Sequence, residues 1–498
     1  MRDKHRELGE SGELMGDLRV ETGAGPVMGE LRDGVRRWLG IPFAAAERFG
    51  APRAPAPWNE VRDATRLGPQ SPQMFGNNAR RAMIAQPGFD EDCLVLNVYA
   101  PDGPAPEPRP VYVWIHGGAF VAGSGNPYDG SGMARAHGVI VVTINYRLGV
   151  LGWVNFGEVL GLPELPSNLG LRDQVAALEW VQGNIAAFGG DPARVTIGGE
   201  SAGSMSVSLL MLHQPAWPLF HGAVMQSGAV SLIHGRAKSR AIARRYAELL
   251  DLDQGSLEKM RALPLERLFE AQAKVGAENP AGIPAAPWFD DDALPPDLAA
   301  AHAAQTAPVP LIAGANRDEV RLFEILPGEI LPTKWPQLEA LLTHQLGPEH
   351  AARVLATYSR TASGRRALST DLVFAMPTRH FAQRHSAGQP TWFYRFDYAH
   401  PIAGATHALE LTLMWPLKGL LAAVARGGPM KGFRAALGER MVAHWAHFVR
   451  HGTPEADWPG FAGAEWPVKV FDLADRVEAN PQAERVAAWA GRDVGPAI

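Results

Sequence analysis

A serine flanked by small residues lies between an apolar run and a helical pattern. The run 195–197 (VTI) predicts a short buried strand, and residues 204–213 predict an amphipathic helix. Between them, Gly199, Ser201 and Gly203 form a G-x-S-x-G turn, whose small residues leave room for a strained backbone. Such a turn presents the serine oxygen beside the positive end of the following helix. The pattern predicts a nucleophilic serine, Ser201; a glycine turn with a merely exposed serine is the alternative.

A serine hydroxyl is a weak nucleophile, so it needs a base, and the base needs an acid that holds its tautomer. A strand predicted over residues 309–314 is followed by a loop that contains Asp318 and Glu319. Nearer the C-terminus, a second loop contains His400 and His407. The chain order serine, acid, histidine is the one that this type of turn requires. Chain order alone leaves both acids and both histidines open as candidates.

A glycine-rich loop could bind the oxyanion that forms during acyl transfer. Residues 114–120 (WIHGGAF) follow a predicted strand and include Gly117, Gly118 and Ala119. Backbone N–H groups of such a loop can donate to the developing negative charge. Alanine at the third position keeps its N–H, so we expect the donor set to be complete. A glycine loop that only ends a core strand is the alternative.

The elements that must position these loops alternate along the chain. Apolar runs predict strands near residues 94–99, 111–115, 139–145, 195–197, 222–225, 309–314 and 392–397. Helical periodicity lies between them, most clearly over residues 169–188. This alternation predicts an α/β fold with a large, mostly parallel central sheet and helices on both faces.

The domain organisation predicted from the sequence is simple. We expect a polar N-terminal tail over residues 1–17 and one domain over residues 18–498. Helical insertions around 236–300 and 330–390 are expected to form a cap or lid. The proline-rich stretches 101–110 and 279–297 are predicted to be surface connections.

Composition restricts the classes of partner and compartment. The net charge of -5 gives no reason to expect nucleic acid or an anionic membrane surface as a partner. Cys93 is the single cysteine, so no intrachain disulfide can form, which favours the cytoplasm and a bacterial host. The apolar runs are too short to span a bilayer, and no metal or cofactor motif is evident. We therefore expect a small-molecule substrate, no cofactor, no metal, and a monomer or homodimer.

Longer motifs resemble the type-B carboxylesterases, a family of α/β-hydrolases, over residues 18 to about 466. Residues 91–98 (EDCLVLNV), 145–149 (NYRLG) and 188–203 (FGGDPARVTIGGESAG) are similar to signatures of that family. The pattern is most similar to the bacterial p-nitrobenzyl esterases, which also have alanine at the third position of the glycine loop. The resemblance implies a serine carboxylesterase that hydrolyses esters of mostly uncharged acids and alcohols through an acyl-enzyme intermediate.

The resemblance also assigns roles to individual residues. An N-x-D-E loop implies Glu319 as the acid, and a G-x-x-H-x-x-E segment over residues 404–410 implies His407 as the base. The residues implied in oxyanion binding and in support of the site are Gly118, Ala119 and Ala202, then Gly117 and Glu200. A buried structural carboxylate is the alternative for Glu200. With an ordinary histidine pKa, activity is expected to rise through roughly pH 6–7.

Departures from the family pattern bear on the substrate, and two further functions are alternatives. Ser71 stands where many animal members have a cysteine, and residues 71–93 contain no tryptophan, which argues against choline esters. The same site could serve a carbamate, an amide, or the ester of a xenobiotic or toxin. A non-catalytic binding protein of the same fold is disfavoured, because all three candidate catalytic residues are present.

Overall fold

The computed structural model describes residues 18–73, 88–279, 282–325, 331–401, 403–417, 431–463 and 465–490. The tail predicted over residues 1–17 lies outside these ranges. The strands are β1 Arg19–Glu21, β2 Pro26–Met28, β3 Glu30–Arg32, β4 Val35–Pro42, β5 Arg62–Asp63, β6 Val95–Pro101, β7 Arg109–Ile115, β8 Ile140–Ile144, β9 Gly190–Glu200, β10 Gly222–Gln226, β11 Leu311–Asn316, β12 Thr391–Phe396, β13 Pro467–Phe471 and β14 Arg476–Ala479.

Eleven of these strands form one central sheet. Their order is β14-β13-β12-β11-β10-β9-β7-β8-β6-β4-β3. Every pairing from β13 across to β8 is parallel, whereas the pairings at both flanks are antiparallel. The remaining strands form a small sheet of order β1-β2-β5. The predicted large, mostly parallel sheet is confirmed.

Helices connect the strands. The α-helices span Ser131–His137, Phe156–Leu160, Leu169–Asn184, Ala202–Leu212, Arg236–Leu249, Leu257–Ala262, Leu265–Glu278, Leu298–Ala303, Arg321–Ile325, Trp335–Leu346, Pro348–Ala356, Ala362–Thr370, Met376–His385, Leu411–Met414, Lys431–His451 and Ala483–Trp489. Short 3-10 turns cover Gly149–Leu151, Ile185–Phe188 and Gln214–Leu219, and a π-helical turn covers Asp371–Ala375.

The central strands contribute to a core on each face of the sheet. Successive side chains of a strand point to opposite faces. In β7, Val111 and Val113 therefore join one core, while Tyr112 and Trp114 join the other. The first core includes residues of the helix Ala202–Leu212, and the second includes those of Ser131–His137 and Lys431–His451. Helices thus cover both faces, as the alternation predicts.

The helix after the serine turn differs from its prediction. It spans Ala202–Leu212, and every residue in it is buried. The helix contacts β7, β9 and β10 on one side and the helix Leu169–Asn184 on another. The expected amphipathic pattern is therefore wrong, because no side of this helix meets solvent.

The two proline-rich stretches have different environments. Residues 102–108 are exposed, as expected of a surface connection. In the second stretch, Ile283, Trp288 and Phe289 are buried, and Ile283 and Phe289 belong to the main core. The prediction of a surface connection is wrong there, because the apolar residues between the prolines pack inward.

Candidate active site

Ser201 occupies a strained turn between a strand and a helix. Strand β9 ends at Glu200, and the helix begins at Ala202. Ser201 has φ 57° and ψ -125°, a backbone conformation that costs on the order of 1–3 kcal/mol. A Cβ on Gly203 would lie 2.1 Å from the carbonyl oxygen of Ile115, so a larger residue does not fit. The serine turn therefore has the geometry that its glycine spacing predicts.

Glu319 and His407 meet through a short hydrogen bond. Oε2 of Glu319 lies 2.6 Å from Nδ1 of His407, and both side chains are buried. Oε1 of Glu319 accepts a hydrogen bond of 2.7 Å from the backbone N–H of Asn316, at the end of β11. The neighbouring Asp318 instead lies 3.3 Å from the Arg317 guanidinium. Of the candidate acids, the structure brings Glu319 to His407.

The alternative histidine, His400, is held in a different way. Its backbone N–H and carbonyl pair with those of Gly404, and its Nδ1 accepts a hydrogen bond of 3.3 Å from the Ala403 N–H. His407 in turn donates its backbone N–H to the carbonyl of Glu319 at 3.3 Å. The loop therefore directs His407, rather than His400, to the buried acid.

Two phenylalanine rings hold the imidazole of His407. The ring centroid of Phe374 lies 4.6 Å from that of His407, and the centroid of Phe323 lies at 5.1 Å. Phe374 belongs to the π-helical turn Asp371–Ala375, whereas Phe323 lies in the helix after Glu319. The sequence analysis missed both residues, because no local pattern marks a contact between elements so distant in the chain.

The other ring nitrogen of His407 faces a second carboxylate. Nε2 lies 3.2 Å from Oε1 of Glu200, the residue that precedes Ser201. Among the described residues, Ser201 Oγ makes no hydrogen bond, and 8% of the residue remains exposed. Catalytic hydrogen bonds are often loose without substrate and tighten when it binds. In this state the imidazole lies between the carboxylates of Glu200 and Glu319 and is hydrogen-bonded only to Glu319.

A third buried carboxylate, Glu410, completes the charged centre. It accepts hydrogen bonds from Asn316 Nδ2 and, at 3.3 Å, from Gln226 Nε2. Burial raises the pKa of Glu410 to about 7 and that of Glu200 to about 8. The sequence analysis included Glu410 only as the end of a motif. Its carboxylate and that of Glu319 share Asn316 as a hydrogen-bond donor.

The electrostatic balance shifts the titration of His407. Burial alone would lower its pKa, but the carboxylates of Glu200 and Glu319 outweigh burial and raise the pKa to about 9. The expected rise of activity through pH 6–7 rested on an ordinary histidine pKa. That expectation needs correction, because the rise should occur at higher pH.

The predicted oxyanion loop lies against the serine turn. A Cβ on Gly117 would lie 2.6 Å from the carbonyl oxygen of Glu200 and 3.1 Å from Cβ of Ser201. Gly118 has φ 120°, and Ala119 has φ 54°. Within the described part of the chain, the N–H groups of Gly118 and Ala119 donate no hydrogen bond. These donors are therefore free to bind an oxyanion at this loop.

One group of side chains away from the serine has the composition of a metal site. The ligand atoms of His444, Glu455 and Asp457 all lie within 4.8 Å of one another. However, Asp457 already pairs with the buried ammonium of Lys469 at 2.5 Å. A cation at this group would have to compete with the lysine, so we assign no metal here.

Comparison with known proteins places the chain in a family. The model of the carboxylesterase family matches residues 16–489. The para-nitrobenzyl esterase of Bacillus subtilis (strain 168) is 35% identical over 486 residues, which cover 94% of this chain and 97% of that protein. The phenmedipham hydrolase of Pseudarthrobacter oxydans is 32% identical, with 91% and 94% of the two chains covered.

Solved structures of carboxylesterases have the same fold as this chain. A PNB esterase superposes with a TM-score of 0.86 at 33% identity and covers 95% of this chain and 100% of its own. A carboxylesterase of Geobacillus stearothermophilus gives a TM-score of 0.83 at 33% identity, with the same coverage. In the described ranges, no helix has the length and apolar character that crossing a membrane requires. The chain belongs to the carboxylesterase family, has the α/β-hydrolase fold and is a carboxylic ester hydrolase.

Proposed function

We propose that Ser201, His407 and Glu319 are the nucleophile, the general base and the orienting acid of this esterase. The observation that carries the proposal is the 2.6 Å contact between Glu319 Oε2 and His407 Nδ1. That contact keeps the proton on Nδ1 and leaves Nε2 as the basic atom. Nε2 lies beside Glu200, and Ser201 follows directly in the chain.

The reaction then proceeds in two steps. Ser201 Oγ attacks the ester carbonyl while His407 Nε2 takes its proton and passes it to the leaving alcohol. Water, activated by the same nitrogen, releases the acid from the acyl-enzyme. The N–H groups of Gly118, Ala119 and Ala202 are proposed to bind the oxyanion in both steps. Losing one such donor costs about 3–4 kcal/mol in a transition state of this type.

The oxyanion proposal predicts a large loss of kcat on replacing Gly118 with alanine. The added Cβ would lie 2.0 Å from the carbonyl oxygen of Ala122, so the loop must move its N–H groups. We expect kcat on p-nitrophenyl esters to fall by roughly 10²–10³-fold with little change in KM. Gly103→Ala is the matched control, because that glycine also has a positive φ but meets nothing within 4 Å. An unchanged kcat in Gly118→Ala would refute the assignment of this loop.

Glu200 is proposed to raise the pKa of the base. Replacing it with glutamine removes the carboxylate that faces Nε2, so the pKa of His407 should fall. The ascending limb of kcat/KM, which reports loss of the His407 proton, should then move to lower pH by roughly one unit. The measurement is a pH profile of kcat/KM for an uncharged ester. Asp318→Asn, whose carboxylate pairs with Arg317, should leave the limb in place; equal shifts in both variants would contradict this role.

The buried charges also indicate the substrate class. Glu200, Glu319 and Glu410 surround the base, and above about pH 9, where His407 loses its proton, Glu200 and Glu410 are ionised as well, so an anionic acyl group or alcohol would be repelled. We therefore propose esters of uncharged acids and alcohols as substrates. A carbamate, an amide or the ester of a xenobiotic or toxin is the second candidate. Two relatives, named phenmedipham hydrolase and pyrethroid hydrolase, support this second candidate.

An ester panel tests the substrate proposal. It should vary acyl length and alcohol bulk independently and include, for each neutral ester, an isosteric ester with a carboxylate and a matched carbamate. We expect kcat/KM to fall by at least tenfold when the carboxylate is added. Faster turnover of the carbamates would favour the second candidate, and faster turnover of the anionic esters would contradict the electrostatic argument.

The compartment is a separate proposal. We propose a bacterial, cytoplasmic protein, because the chain has a single cysteine, Cys93, and its thiol is free and buried. Proteins of oxidising compartments commonly depend on disulfides, and a chain with a single cysteine can form none within itself.

A further inference from the structure

Gln272 is a buried polar side chain that faces a turn of the backbone. It lies in the helix Leu265–Glu278, and only 6% of it is exposed. Its Oε1 accepts a hydrogen bond of 2.8 Å from the backbone N–H of Val150, in the 3-10 turn Gly149–Leu151. The same oxygen would lie 2.2 Å from a Cβ on Gly149, so the side chain fits closely against this turn.

The surroundings of this hydrogen bond are apolar. Val150 and Leu151 of the turn belong to one hydrophobic cluster with Leu268 and Phe269 of the helix. A buried backbone N–H costs free energy when it has no acceptor. The Val150 N–H therefore explains why a glutamine lies among these side chains. The neighbouring residue of the turn connects this contact to the oxyanion loop.

The turn binds the carbonyl of the residue that follows the oxyanion donors. Gly149 donates its backbone N–H to the carbonyl of Phe120 at 2.8 Å. Phe120 is fully buried and directly follows Ala119, and the two residues have φ 60° and 54°. Residues other than glycine adopt this left-handed conformation only where surrounding contacts stabilise it. The hydrogen bond from Gly149 is such a contact.

The direction of the Ala119 N–H follows from two planar peptides. The carbonyl of Gly118 accepts a hydrogen bond of 3.1 Å from the Val121 N–H. A peptide unit is planar and trans, so this bond fixes the Ala119 N–H on the opposite side of the same plane. The Phe120 carbonyl and the Val121 N–H also share one peptide. The hydrogen bond from the turn therefore fixes the donor that orients the Gly118 carbonyl.

We propose that Gln272 is a positioning residue for the oxyanion donor of Ala119. It acts through the turn Gly149–Leu151 and the carbonyl of Phe120, not through contact with the substrate. The inference rests on the proposed function, in which the Ala119 N–H binds the oxyanion. A change at this position of the helix Leu265–Glu278 should therefore slow the chemical step and leave substrate binding as it is.

Replacing Gln272 with methionine tests the inference, because methionine has a similar shape and offers no oxygen. We expect kcat on a p-nitrophenyl ester to fall roughly tenfold, less than the loss of a whole donor, with KM within about twofold. Gln272→Glu keeps an oxygen for the Val150 N–H and should retain kcat within about threefold. Gln182→Met is the matched control. Gln182 also bonds to the backbone, donating to the Pro192 carbonyl at 2.9 Å, at the far end of β9 from Ser201, so kcat should not change.

A pair of inhibitors separates positioning from stability. Ser201 Oγ adds to the carbonyl carbon of a trifluoromethyl ketone, whose oxygen becomes an oxyanion, whereas the corresponding alcohol binds without forming one. We expect Gln272→Met to raise the inhibition constant of the ketone roughly tenfold and to leave that of the alcohol unchanged. A role in stability alone would lower the Tm and change neither constant. If Gln272→Met does not fold, Gln272→Asn, whose oxygen falls short of the Val150 N–H, should show the same effect.

Gly118→Ala, measured with the same ketone, shows whether the loop binds the oxyanion at all. If Gly118→Ala weakens binding of the ketone and the Gln272 variants do not, the positioning role is overturned and the proposed function stands. If none of these variants weakens it, the oxyanion role of the loop is overturned as well. Equal weakening of ketone and alcohol, or equal losses of kcat in Gln272→Met and Gln272→Glu, would also overturn the positioning role.

Discussion

Replacing Ser201 with alanine should abolish ester hydrolysis and leave the fold intact. The nucleophile is lost, so kcat on p-nitrophenyl esters should fall by roughly 10⁵–10⁶-fold. The fold should persist, because Ser201 Oγ makes no hydrogen bond among the described residues, and alanine meets the same backbone strain as serine. Steady-state kinetics and the Tm, measured together, check both parts of the prediction.

The matched control for Ser201→Ala is Ser208→Ala, in the helix that directly follows Ser201. Ser208 is buried in the helix Ala202–Leu212, and its hydroxyl donates to the carbonyl of Met205 within the same helix. Ser208→Ala should therefore keep its activity. A fluorophosphonate probe should label Ser201 in the wild type and nothing in Ser201→Ala. Retained turnover in Ser201→Ala, or labelling of another residue, would refute the assignment of Ser201 as the nucleophile.

The serine turn was predictable because its constraints are local. Gly199 and Gly203 must be small, since a Cβ on either would approach neighbouring backbone atoms within 2.5 Å. The strand before the turn and the helix after it are adjacent to it in the sequence, so local patterns predict them. The choice of Glu319 over Asp318 was different. Both acids lie in one loop, and only the packing of β11 against the histidine loop decides which side chain turns inward. The resemblance to a family, rather than periodicity, supplied that choice.

The remaining features depend on contacts between distant parts of the chain. Phe374 packs against the ring of His407, because the segment 371–385 folds against β11 and β12. The segment itself has no motif. The contact of Glu200 with His407 Nε2 was also not predictable, because the sequence left Glu200 as either a supporting or a structural carboxylate.

Replacing Glu319 with glutamine should cost about 10⁴-fold in kcat. The two oxygens of Glu319 accept hydrogen bonds from His407 Nδ1 and from the backbone N–H of Asn316. Glutamine has one oxygen, and because the Asn316 N–H is a fixed donor, that oxygen should face Asn316. The amide N–H₂ would then face Nδ1 and favour the tautomer that carries its proton on Nε2, which cannot take the proton of Ser201. Single-turnover and steady-state kinetics on one uncharged ester measure the loss.

Glu200→Gln is the control for this prediction, because it makes the same change at the other nitrogen of the same imidazole. Glu200 lies 3.2 Å from Nε2 and holds no proton on Nδ1, so its loss should cost less than about 10²-fold in kcat near the pH optimum. Glu319→Asp keeps two oxygens and should recover part of the activity that Glu319→Gln loses. The reverse order, with Glu200→Gln the more damaging variant, would make Glu200 the orienting acid. Glu319 would then be left as a structural carboxylate.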